Sequence, residues 1–116
     1  MKYLLGSALI LTSTLANAAA DQWTAKVKVV EIYTGYKGGH FLFKTSGTHI
    51  NPANCGDTGL YSVEAANADV KSIYSALLAA KVSNQDVKIA IAGSRCGTSS
   101  LDHVRNKPSV SRIGLF

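Results

Sequence analysis

Two cysteines, Cys55 and Cys96, constrain this 116-residue chain more than any other feature. Each lies in a turn-forming context, "NCGDTG" and "SRCGTS". Whether they pair depends on the compartment, and the N-terminus "MKYLLGSALILTSTLANAAADQW" speaks to that. Lys2 supplies a positive start, Leu4 to Leu15 an apolar stretch, and Ala16-Asn17-Ala18 a small-residue box. That three-part pattern reads as a secretory signal peptide over residues 1–18, with cleavage after Ala18 or Ala20. Its apolar part is too short for a transmembrane helix, which needs about 20 residues. The expected localisation is secreted or periplasmic, an oxidising space that favours a disulfide bond between the two thiols. Closing a loop over 41 positions is worth about 4 kcal/mol by loss of unfolded-chain entropy. That is a large share of the roughly 5–10 kcal/mol expected of a small domain. A catalytic thiol is the sharper alternative, but neither cysteine has an adjacent base to activate it.

Residues 19–116 read as a single domain with one modest core. Without Lys2, the 12 Lys and Arg fall to eleven against 7 Asp and Glu, a formal charge of +4. The basic residues are scattered, so the charge by itself reads as solubility before it reads as an anionic partner. "WTAKVKVVEIYTG" alternates with Trp23, Ala25, Val27 and Val29 on one side. Val30 and Ile32 then carry apolar character to the other, as a long bent strand would. "GYKGG" is a turn, and "HFLFKT" completes a hairpin. "GLYSV" is a short third strand. A helix follows with Asn67 as a candidate cap, Asp69 near the positive end of the dipole, and Val70, Ile73, Tyr74, Leu77 and Leu78 on one stripe. Asn84 is the expected stop. "DVKIAIAG" and "SVSRIGLF" are strands four and five, with Pro108 as a breaker between them. The expected fold class is mainly β with one helix: a small OB-fold-like, five-stranded, partly open barrel in the order β-β-β-α-β-β, with one disulfide. An α+β sandwich of another topology is the rival.

Catalytic constellations are sparse. His40, His49 and His103 lack metal-ligand spacing, and "NCGDTG" lacks the alternating acids of a calcium loop, so no metal or cofactor is expected. There is no Gly-x-Ser-x-Gly elbow. Ser94, Ser99 or Ser100 with Asp102 and His103 would be the material for a small secreted hydrolase, and Asp57 with Glu64 for a glycosidase, but nothing in the spacing brings either set together. The expectation is a protein that is not an enzyme. Aromatic residues concentrate in the first half. Sugars present apolar faces rimmed by hydroxyls, for which a ring with polar neighbours is a natural platform. Tyr36, in a glycine-rich turn beside Lys37 and His40, is the leading candidate for ligand binding, with Trp23 and Tyr33 behind it. Phe41, Phe43 and Tyr74 are assigned to the core and the helix stripe. An OB-fold also serves oligonucleotides, but export argues against a nucleic-acid partner.

The plan resembles the binding (B) subunits of pentameric bacterial toxins, the subtilase-cytotoxin, pertussis-like and typhoid-toxin group. The likeness rests on an exported chain of this length, on "FLFKTSG" as a second strand ending in a Phe-x-x-Thr-like pattern, and on "VKSIYSALLAAKVSNQDVKIAI". That last stretch is a Leu- and Ala-rich helix passing through a polar turn into a Val-x-Ile strand. The resemblance implies an OB-fold, carbohydrate binding at a cell surface, a homo-oligomer (a pentamer) with helices lining its pore, and an exported enzymatic partner. "DQWTAKV" stands where that group has a Tyr-Ser pair for its sugar, so no site residue is carried over. The functional expectation is an exported binding module for a glycan or other surface ligand. A periplasmic inhibitor or partner protein acting through protein contacts is the alternative.

Overall fold

The computed structural model describes residues 20–116. The expected signal peptide, residues 1–18, lies outside the described residues. Seven elements follow in order: β1 (Gln22–Trp23), β2 (Val29–Tyr36), β3 (His40–Thr45), β4 (Tyr61–Glu64), α1 (Val70–Ser83), β5 (Val87–Cys96) and β6 (Pro108–Leu115). The strands form one six-stranded sheet in the order β1-β5-β6-β4-β3-β2. Neighbours are antiparallel except β4 and β6, which run parallel through Ser62 and Ser109.

The five-stranded barrel expected from the sequence is thus corrected to a sheet of six strands, in the order β-β-β-β-α-β-β. Among the described residues the sheet is not closed by pairing of β1 with β2. The extra strand comes from a break in the first one. Thr24 is buried, and it engages Ile89 twice: its N–H donates to the Ile89 carbonyl (2.9 Å), and its hydroxyl accepts from the Ile89 N–H (3.0 Å). That side chain takes the place of a ladder partner, and the chain turns there. Val27 and Val87 then exchange both backbone hydrogen bonds at 2.9 Å. From Val29 onward the chain pairs with β3 instead. One continuous segment therefore supplies both edges of the sheet.

The apolar switch within that segment has a structural cause. Between Val29 and Glu31 the register with β3 slips by one residue. A bulge reverses which side alternate residues face. Val29 is buried and Ile32 packs on the core, while Val30 between them is exposed.

The core is gathered by α1 against the strands: Phe41, Phe43, Tyr61, Val63, Val87, Ile89, Ile91 and Val110 from the sheet, with Ile73, Leu77 and Ala80 from the helix. The helix N-cap is Asp69, whose carboxylate accepts from the Ser72 N–H at 3.0 Å, and not Asn67 as expected. Asn84 ends the helix in the left-handed conformation at φ 56°. Asparagine tolerates that geometry because its short polar side chain relieves part of the cost. Leu78, placed on the buried stripe by its spacing, is exposed, as is Val82.

Candidate functional site at the β2–β3 hairpin

The hairpin turn is built by glycine. Gly38 and Gly39 have φ of 99° and 71°, values that side-chain-bearing residues rarely adopt. They let Tyr36 pair with His40 across three turn residues. A second register slip lies between Tyr33 and Tyr36, with Gly35 at φ 104° inside it. On a regular strand Tyr33 and Tyr36 would point to opposite faces. The extra residue removes that opposition, and both rings approach one side chain, His103.

His103 arrives from the loop between β5 and β6, 67 positions from Tyr36. Several constraints hold that loop. Cys96 is bonded to Cys55, with Cα atoms 5.7 Å apart. Gly97 donates to the Lys107 carbonyl (2.8 Å) and accepts from the Asn106 N–H (3.0 Å). It has to be glycine for lack of room: a Cβ there would lie 2.4 Å from the Val104 carbonyl oxygen and 3.2 Å from Glu64 Oε1. Lys107 is buried, and its ammonium meets the half-exposed Asp57 carboxylate at 2.6 Å. That hydrogen bond, with a second from the Gly59 N–H, holds the Asp57 carboxyl below the ordinary carboxylate range. Glu64, also buried, accepts from the backbone and hydroxyl of Thr98 at 2.9 and 3.2 Å. The disulfide and the ion pair therefore tie this region to the β3–β4 loop, and Glu64 ties it to the end of β4.

The result is a cluster of four rings. Tyr36 stacks on His40 with centroids 5.6 Å apart and planes at 24°. The Tyr36 hydroxyl hydrogen-bonds His103 Nδ1. Tyr33 meets His103 edge-on at 6.1 Å, and its hydroxyl donates to Glu31 Oε2 at 2.5 Å. The Glu31 carboxylate accepts that hydrogen bond and disfavours the phenolate, which raises the Tyr33 pKa. His40 Nε2 is buried with no hydrogen-bond partner, an uncommon state for a polar atom. Open hollows flank the cluster. One of about 400 Å³ is lined by Lys37, His40, Glu64 and Ser99 among others. Another of about 310 Å³ includes Tyr33, His103, Lys44 and Asp57.

Of the residues singled out in the sequence, Tyr33, Tyr36, Lys37 and His40 thus lie together. Trp23 does not join them. It lies on β1 at the other edge of the sheet, with the Arg112 guanidinium 5.6 Å from its ring centroid. Tyr36 is half-buried by its two histidine neighbours, so its exposed companion is Tyr33, at 41%. His103 was read in the sequence only as metal or triad material. The usable signal for the bulge that aims two tyrosines at it was a glycine inside a strand pattern. In the structure Asp102 pairs with Arg105, and His103 turns to Tyr36, so the two do not form a relay. Glu64 and Asp57 are each engaged by the partners given above. Among the described residues no three His, Cys, Asp or Glu side chains form a group able to hold a metal.

Chemically, the cluster and its flanking hollows offer flat ring faces, phenolic and imidazole edges that donate or accept, the carboxylates of Glu31, Asp57 and Glu64, and the ammonium groups of Lys37 and Lys44. Those are means of recognition for a polar ligand with apolar faces. No protein-family model, curated protein or solved structure matches the chain.

Proposed function

We propose that the protein is an exported binding module that recognises a glycan through the tyrosine–histidine cluster of the β2–β3 hairpin, without catalysis. The observation that carries this reading is the convergence of Tyr33, Tyr36, His40 and His103, from two segments distant in sequence, into one set of rings with polar edges. The same reading takes the scaffold as an open, OB-like sheet. Its support is that β1 and β2, the two sheet edges, are halves of one bent segment, and that α1 enters between β4 and β5. A role like that of toxin binding subunits, as a ring and with an exported enzymatic partner, extends the proposal. The exposed Leu78 and Val82 on α1 are apolar surface that such an assembly would cover.

A glycan array read with the exported protein tests the reading. Wild type binds a restricted set of sugars, and Tyr36→Ala weakens that binding about tenfold, the value of one aromatic contact. An array silent for wild type, or unchanged by Tyr36→Ala, overturns the assignment.

A further inference from the structure

The β1-β5-β6 side of the sheet carries a second aromatic region. Trp23 pairs with Ala90, which pairs in turn with Arg112; Lys88 pairs with Gly114 in a neighbouring row. Gly114 leaves a bare floor. A Cβ there would lie 3.2 Å from the Phe116 ring. Trp23, Lys88, Gly114 and Phe116 line an open hollow of about 370 Å³. Both rings stand in water, Trp23 at 49% exposure and Phe116 at 55%.

Cations surround them. Lys26 Nζ and Lys88 Nζ are each 5.2 Å from the Phe116 centroid, and Arg112 sits by Trp23. The opposing charge is small. Asp21 lies 3.7 Å from Arg112, while Asp86, whose carbonyl accepts the Phe116 N–H, pairs its carboxylate with Lys28 at 2.8 Å. Asp21 thus offsets Arg112, and Lys26 and Lys88 have no carboxylate side-chain partner among the described residues. Such a surface suits a partner that is anionic on its polar side and apolar beneath.

The choice between a sugar and a lipid surface follows from what lines the hollow. It holds an indole, a phenyl ring, an ammonium and a glycine, with no hydroxyl, amide or carboxylate side chain to read a pattern of sugar hydroxyls. Exposed Trp and Phe flanked by Lys and Arg match the boundary between headgroups and acyl chains. There rings sit at the interface, and each cation near an anionic lipid surface adds attraction. We infer that this patch docks the protein on an anionic membrane surface, with Trp23 and Phe116 entering the interface and Lys26, Lys88 and Arg112 on the phosphates.

Trp23 is the only tryptophan in the chain, so its emission reports on the patch directly. The probe is vesicles of phosphatidylglycerol and phosphatidylcholine, titrated into exported protein whose N-terminus has been defined by intact mass. Emission shifts to the blue and becomes shielded from acrylamide with mixed vesicles, and stays unchanged with pure phosphatidylcholine. The Lys26→Gln/Lys88→Gln variant partitions about thirtyfold more weakly. Phe116→Ser also weakens binding, and Tyr36→Ala binds as wild type. No shift on anionic vesicles, an equal shift on neutral ones, or wild-type partitioning by the double-lysine variant overturns the inference. So does a response to a soluble acidic polysaccharide without one to vesicles.

Discussion

At the β2–β3 hairpin each ring of the cluster meets another ring or a hydrogen-bonding partner. Across the sheet, at Trp23 and Phe116, the rings meet cations. The contrast follows from how each region is assembled. Tyr36 and His40 face one another across a tight turn, and His103 is brought to them by a loop that is covalently tied down. Ring edges carry the chemistry there, and edges need position. Trp23 and Phe116 project from strand ends, where the inferred membrane contact uses ring faces and diffuse charge, which need little positional accuracy. Two aromatic regions of one sheet are thus proposed for separate ligands, one chosen by geometry and one by charge.

The largest expected effect separates the two by removing the tie. The Cys55→Ala/Cys96→Ala variant loses about 4 kcal/mol of unfolding free energy in urea. Its folded form keeps the Trp23 emission of wild type, because β1, β5 and β6 hold the patch without the β5–β6 loop. Altered native-state emission in the folded variant would show that the patch also depends on the staple.

A smaller effect comes from pH. All three histidines, His40, His49 and His103, belong to the hairpin side of the molecule or the loops packed on it. Burial favours the neutral form of His49, against the pull of its hydrogen bonds. Its Nδ1 donates to the Thr58 carbonyl at 2.8 Å, its Nε2 accepts from the Thr45 N–H at 3.2 Å, and its ring stacks on Tyr61 at 4.1 Å. Burial, with Lys44 nearby adding to it, lowers its pKa in the folded protein. The unfolded chain therefore takes up a proton near pH ~6.5 that the folded one refuses. The contribution is complete above that pH and is lost as pH falls below it toward the lowered folded value. Urea midpoints fall between pH 7.5 and 5 in wild type, with a shallower slope in His49→Gln. An equal slope in that variant would remove His49 from the account.

Much of this layout could be read from local residue types. Two cysteines have one pairing available, and it forms. The strand His40–Thr45 and the stop at Asn84 were set by glycine turns and by asparagine's tolerance of positive φ. Even the shift of apolar residues from Val29 to Ile32 was visible as a change of side. What escaped reading depends on distant partners. Thr24 breaks the first strand because Ile89 is there to bond it. Trp23 stays in water beside Arg112, 89 positions later, although large aromatics are commonly mostly buried. His103 gains its role from a bulge at Gly35 and a loop held by Asp57 and Lys107. No local pattern marks such contacts, because neither side has a propensity for the other until the chain has folded.

The central claim is that the staple between Cys55 and Cys96 places His103 against Tyr36. Proton cross-relaxation between the two rings, measured by NMR in oxidised and in reduced protein, addresses it most directly. The account predicts strong Tyr36–His103 cross-peaks in the oxidised form that fade on reduction while β2–β3 contacts persist. Cross-peaks absent from the oxidised protein, or equally strong in both forms, would contradict it.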